Sequence, residues 1–280
     1  MTPPINFLRL PVAVLIVLSA LCGTAASDEV SRWDGDARSA ARLIAGAAGQ
    51  GVLRAGIEIR LKDGWHTYWR YPGDAGVPPQ FDFAGSQNLK SVAVRWPAPR
   101  RIPEAGIIAI GYDRDLILPL NVTAQDPARP VTLRLRLNYA ICEKLCVPAE
   151  AKVELPLAAG PTAQDSVLTV AEARVPSKRG LGEGSPLAIR AVRREAGPQL
   201  PRLLIDVAAP AGGAVDLFAE GPTDQWAPPL PVAIEGAPPG LQRFALDLDG
   251  APPGESYDGA AVTLTAVAGR EAIEVTVSVP

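Results

Sequence analysis

The sequence predicts an all-β chain, two antiparallel β-sandwiches in tandem after a signal peptide. Three observations carry this. Apolar and polar residues alternate in many short runs, the period of a strand with one face buried. Pro 29 and Gly 26, set against 5% aromatic residues, cut those runs at regular turn signals, as sandwiches require. The 280 residues exceed one ordinary domain, and the alternation stops near Gly160 and resumes past Pro186, which divides the chain into two cores.

Residues 1–26 read as an export signal. Arg9 supplies a positive start, Leu10 to Leu21 (LPVAVLIVLSAL) an apolar stretch, and Thr24-Ala25-Ala26 the small residues before a cut near Ser27. The apolar run is shorter than the roughly 20 residues of a spanning helix. Leu21 occupies the place where a lipoprotein cysteine at Cys22 would want a small residue. Cleavage removes Cys22 and leaves Cys142 and Cys146 as the only thiols, so an exported chain is expected to join them.

In chain order, Ser39 to Ala48 and Gly51 to Leu61 read as strands, the latter with Ile57, Ile59 and Leu61 on one face. Lys62-Asp63-Gly64 makes a turn. Trp65 to Tyr71 (WHTYWRY) is dense in aromatics, and Pro72 to Pro79 is a turn-rich loop. Strands follow around Phe81 and Phe83, Val92 to Trp96, Ile107 to Ile110 and Leu116 to Val122. A hairpin over Val131 to Leu157 completes about seven strands in a first sandwich, residues 27–157. Residues 158–185 are expected to link the halves and to hold a short helix near Thr162 to Ala173. About seven further strands, beginning with Leu187 to Val192 and ending with Ile273 to Val279, give a second sandwich over 186–280. That half has no Cys, no His and only Trp226 among tryptophans.

The hairpin is the stretch that carries chemistry. Val131, Leu133, Leu135, Leu137, Tyr139 and Ile141 alternate with Thr132, Arg134, Arg136 and Asn138, and Ala151, Val153, Leu155 and Leu157 alternate with Lys152 and Glu154. Three residues separate Cys142 from Cys146, a short turn. If the cysteines oppose each other, their Cα atoms lie about 4.5–5.5 Å apart, within the roughly 4.4–6.8 Å of a disulfide. Parity places both sulfurs on the solvent face with Arg134 and Lys152. The bridge closes a very small loop and so stabilises little. Its readings are thiol–disulfide exchange and an inert staple. Lys144 favours a thiolate and Glu143 opposes it.

Other classes lack their residues. The formal charge of −3 without a basic run argues against nucleic acid. No hydrolase triad, phosphate loop or dinucleotide fingerprint occurs, so no cofactor is expected. Two thiolates suit Cu(I) or Zn(II), with His66 as a third ligand, but His66 is the sole histidine and Met1 the sole methionine, so no closed metal site is expected. His66 between Trp65 and Tyr68 reads as structural, and Asp74 as a turn former.

Trp65-His66-Thr67-Tyr68-Trp69-Arg70-Tyr71-Pro72-Gly73-Asp74-Ala75-Gly76, Gly111-Tyr112, and Tyr139-Ala140-Ile141-Cys142-Glu143-Lys144-Leu145-Cys146-Val147-Pro148-Ala149-Glu150 together resemble the N-terminal domain of the DsbD/ScsB family of disulfide reductases. The resemblance covers about residues 30–157. It implies an immunoglobulin-like periplasmic domain whose Cys142–Cys146 pair takes electrons from a membrane redox domain and hands them to periplasmic thioredoxin-like partners. It also implies a protective cap, from Tyr71 to Pro79 (with Tyr71 and Asp74) or from Ile107 to Tyr112, with Glu143 and Lys144 as supports. The chain lacks the membrane and thioredoxin domains of full-length reductases, so the resemblance implies a separate membrane protein as electron donor. The cysteine spacing fits the ScsB-like branch, which is associated with copper tolerance and leaves Cu(I) binding by the pair as an alternative. A non-enzymatic binding module with a structural disulfide is the other alternative.

Overall fold

The computed structural model describes residues 28–49, 52–73, 76–104, 106–157, 160–210 and 213–280. The signal peptide expected over residues 1–26, and Asp74, lie outside them.

The first sandwich starts with β1 (Asp34–Gly35), β2 (Ser39–Gly49), β3 (Val52–Leu61), β4 (His66–Gly73), β5 (Gln80–Asp82) and β6 (Leu89–Val94). It continues with β7 (Arg100–Glu104), β8 (Ile107–Tyr112), β9 (Leu116–Ala124), β10 (Val131–Cys142) and β11 (Cys146–Leu157). One sheet runs β1-β2-β3-β9-β6; the other runs β11-β10-β4-β8-β7, with β5 against β10. The alternating strands build the core as read. Val131, Leu133, Leu135, Leu137, Tyr139 and Ile141 of β10 are buried against Leu43, Ile57, Ile59, Leu118 and Leu120 of the facing sheet, while Arg134, Arg136 and Asn138 face water. There are more strands than the seven or so expected: β1 and β7 are too short to show a period, and β4 runs through the aromatic-dense stretch, where buried residues follow one another without alternating.

The stretch expected to link the halves is packed in its first part, while residues 177–185 are exposed. Helix α1 (Asp165–Glu172) buries Leu168 and Ala171. Leu168 seats on two glycines: a Cβ on Gly46 would stand 2.4 Å from Leu168 Cδ1, and one on Gly56 2.9 Å from Cδ2. Arg54 then anchors the helix through Glu172 at 2.8 Å and Asp165 at 3.2 Å. Strand β12 (Ser177–Lys178) follows and pairs in parallel with the last strand of the second sandwich.

That sandwich comprises β13 (Ala188–Glu195), β14 (Arg202–Ala208), β15 (Asp216–Glu220), β16 (Val232–Ile234), β17 (Leu241–Asp247), β18 (Ala261–Ala268) and β19 (Glu271–Ser278). Its sheets run β12-β19-β18-β15 and β13-β14-β17-β16. Between them lie Leu203, Ile205, Leu217, Leu246, Leu264 and Val275, with Trp226 edge-on to Tyr257 at 4.7 Å. The fold class is therefore the predicted one, all-β with antiparallel sheets, and the two cores are consistent with two sandwiches in tandem.

The sandwiches meet along β4 and β7. The Arg70 guanidinium donates to Glu220 at 2.6 and 2.7 Å and to Glu274 at 2.6 Å. Tyr71 Oη donates to the Pro228 carbonyl at 2.6 Å. Arg101 Nη2 donates to the carbonyls of Leu217 and Pro231 at 2.9 and 2.8 Å. Phe218 enters the first core, its ring 5.9 Å from that of Trp69.

Candidate functional site

Cys142 closes β10 and Cys146 opens β11, and the strand register sets them directly opposite. Their Cα atoms are 4.1 Å apart and the sulfurs are joined. The turn between them is exposed. Glu143 and Lys144 face solvent, and Leu145 is 74% exposed.

The expectation that both sulfurs lie on the solvent face holds for one of them. Cys146 is exposed, but Cys142 is only 1% exposed. Parity places a side chain on a face without saying what covers that face. Strand β4 comes alongside the end of β10, pairing His66 with Cys142 and Thr67 with Ile141. The Tyr68 ring and Ala109 of β8 then close over the inner sulfur.

Tyr68 and Glu104 supply the polar groups at the bridge. Tyr68 Oη lies 2.7 Å from Cys142 Sγ and 3.2 Å from Cys146 Sγ. Glu104 ends β7 and pairs with Ile107 of β8 across a tight turn, which aims its carboxylate at the sulfurs. Its Oε1 is 3.0 Å from Cys146 Sγ, and its Oε2 is 3.1 Å from both Tyr68 Oη and His66 Nε2. A disulfide sulfur carries no proton, so in this state Tyr68 is the donor, with one hydrogen for either Cys142 Sγ or Glu104. In the dithiol the Cys146 thiol can donate to Glu104. Sequence reasoning noted Tyr68 only within an aromatic cluster and passed over Glu104.

Burial, and then the neighbouring negative charge of Glu104 and its hydrogen bond, push the Tyr68 hydroxyl well above its ordinary value. Tyr68 therefore stays a neutral donor at physiological pH. The loop after β4 covers it: a Cβ on Gly76 would stand 2.2 Å from the Tyr68 ring, and the residue has φ +102°, a conformation suited to glycine. Of the other residues named from sequence, Tyr71 donates to Pro228 and Tyr112 Oη donates to the Pro97 carbonyl at 2.8 Å. Ile107 is 45% exposed beside Glu104.

His66, Glu104 and Cys142 present donor atoms within 4.8 Å of one another. The disulfide form offers no thiolate to a metal, and Tyr68 Oη lies within 3.1 Å of both Cys142 Sγ and Glu104 Oε2.

A hydrogen bond to a developing thiolate is worth about 1.5–3 kcal/mol. Replacing Tyr68 with phenylalanine should therefore slow reduction of the bridge by dithiothreitol about tenfold or more, measured by quenching with an alkylating agent and mass analysis. A rate within twofold of the parent protein would remove Tyr68 from the chemistry. Because the folded value is raised, the contribution of Tyr68 to stability is complete below the ordinary tyrosine value near about 10 and is lost as pH rises above it.

Residues 37–158 match the family described as thiol:disulfide interchange protein DsbD, N-terminal. They form a DsbD N-terminal domain. In this DsbD N-terminal domain the matched segment holds both cysteines, Tyr68, Glu104 and His66, and its family carries a role in thiol–disulfide interchange. The crystal structure of the N-terminal periplasmic domain of ScsB from Proteus mirabilis is similar at 22% identity and TM-score 0.71, over 90% of this chain and 99% of that one. At that identity the likeness speaks to the fold, and it spans both sandwiches. No curated protein matches the chain.

Proposed function

We propose that the protein relays reducing equivalents in the periplasm through Cys142 and Cys146, from a separate membrane redox protein to thioredoxin-like partners. The observation that carries this reading is the asymmetry of the bridge: one sulfur open at a hairpin tip, the other buried beneath a hydroxyl donor. A structural staple needs neither the opening nor the donor.

The chemistry follows from that asymmetry. A donor thiolate attacks Cys146 Sγ, the S–S bond breaks, and Cys142 leaves as a thiolate beside Tyr68 Oη. The donor's second thiolate then attacks its own mixed-disulfide sulfur. This releases reduced Cys146 and leaves the donor oxidised, so two electrons have passed. In the reduced protein the Glu104 carboxylate accepts the Cys146 proton as that sulfur attacks a partner's disulfide. Cys142 then resolves the mixed disulfide, restoring the bridge and releasing the partner as a dithiol. In this reading residues 1–26 direct export, residues 27–157 carry the exchange, and residues 158–185 connect them to the sandwich over 186–280.

The reduction potential tests the reading. Equilibration in glutathione and dithiothreitol buffers, scored by alkylation mass shifts, should place the pair near about −200 mV, with fast reduction of a thioredoxin-like protein. A value below about −300 mV marks a structural bridge and would sink the relay.

A further inference from the structure

Both groups that lie on the bridge sit on strands gripped by the second sandwich. Tyr68 is two residues before Arg70 on β4, in a stretch whose pairing with β8 is irregular between Tyr68 and Gly73. Glu104 is three residues after Arg101 on β7. Strand β7 is the last of its sheet, paired with β8 on one side only. A five-residue edge strand ending in a tight turn is weakly held by its own ladder.

Arg101 supplies the missing support. Its Nη2 reaches two carbonyls from separate segments, Leu217 on β15 and Pro231 just before β16. Its guanidinium lies 5.8 Å above the Phe218 ring, and its Nε lies 3.4 Å from Asp216 Oδ1. A planar fork held at several points fixes direction as well as distance. Arg70 does the same for β4, donating to two carboxylates on different strands, Glu220 of β15 and Glu274 of β19. Such a partly buried ion group holds its geometry because breaking it leaves charge uncompensated. Tyr71 Oη adds a third tie, to Pro228, at the root of the loop that crosses the Tyr68 ring at Gly76.

We propose that the second sandwich is a clamp that positions Tyr68 and Glu104 on the disulfide, so that Arg70 and Arg101, with Glu220 and Glu274, govern the reactivity of Cys146 without touching it. The functional consequence rests on the exchange reading above; the clamp itself is a matter of geometry. Releasing Arg101 lets the Glu104 turn swing away. That removes from beside Cys146 a carboxylate that repels an attacking thiolate.

The test compares the full mature chain with Arg101→Ala, Arg101→Lys and the double variant Glu220→Gln/Glu274→Gln. The readout is the rate of bridge reduction by dithiothreitol across pH. Arg101→Ala should be reduced at least fivefold faster. Arg101→Lys, which keeps one carbonyl contact, should fall between it and the parent protein. The glutamine pair frees Arg70 and so loosens β4 and Tyr68, and it should be slower than the parent. Rates and pH profiles within twofold of the parent in folded Arg101→Ala and in the glutamine pair would overturn the clamp. Hydrogen exchange on the unmodified chain gives a check that no folding defect can obscure. The β8-bonded amides of 100–104 should be protected as well as those of β10, and fast fraying there would overturn the clamp. Dithiothreitol needs no protein partner. A chain that shows the clamp effect but fails to reduce any thioredoxin-like protein would keep the clamp and lose the relay, and the converse result would separate them equally well.

Discussion

Serine at Cys142 should leave a protein that attacks once and then stalls. Cys146 is the open sulfur and Cys142 the buried one, so Cys142→Ser keeps the group a partner can reach and deletes the group that resolves the adduct. Mixed with an oxidised thioredoxin-like protein, Cys142→Ser should accumulate a one-to-one mixed disulfide visible on a non-reducing gel. Cys146→Ser should accumulate almost none, because its remaining thiol lies under the Tyr68 ring. Alkylation should show the same split, with Cys146 in the first variant modified about a hundredfold faster than Cys142 in the second. Turnover should fall about a thousandfold or more in both, since neither can complete the two-step exchange. Stability changes little by comparison, because closing so short a loop contributes about 2 kcal/mol in the chain-entropy picture. Equal trapping by the two variants would refute the assigned roles.

That asymmetry was the part of the site hidden from the sequence. The alternation of Val131 to Ile141 fixes which β10 side chains enter the core, and the three-residue turn fixes the opposition of Cys142 and Cys146; both could be read directly. Burial of Cys142 depends on β4 and β8, which lie beside β10 in space and not in sequence. Glu104 was illegible for a related reason. It ends a five-residue edge strand containing Pro103, with no period to mark it, and it reaches Cys146 across 42 residues of chain. Nothing in the sequence marked Arg101, or Arg70 beyond its place in the aromatic stretch, because their partners come from the other sandwich. The helix near Thr162 to Ala173 was visible as a pattern, whereas its seat on Gly46 and Gly56 was not. In an all-β chain the faces follow from local alternation, while the lateral neighbours that make a site follow from sheet order.

Alanine at Gly111 should be the most damaging small substitution near the site. A Cβ there would stand 2.0 Å from the Thr67 carbonyl oxygen, 3.0 Å from its carbon and 3.1 Å from Tyr68 Cα. All three atoms are backbone, so no side chain can turn aside. Gly111 pairs with Tyr68 on one edge and with Arg100 on the other, so β8 cannot slide away from β4 without straining β7. The added methyl must therefore part β4 from β8 by about an ångström, in a sheet interior that tolerates little overpacking. A loss of roughly 3 kcal/mol is expected, read as a lower urea midpoint at unchanged slope. Gly49→Ala is the matched control, because nothing lies within 4 Å of its Cβ; it should be neutral or slightly stabilising. Parting β4 from β8 also shifts Tyr68 relative to the turn that carries Glu104. The folded fraction of Gly111→Ala should then be reduced by dithiothreitol at a rate unlike the parent's. If the variant loses stability but keeps the parent rate, the groups around the sulfurs tolerate an ångström of displacement, and the chemistry depends on the openness of Cys146 alone.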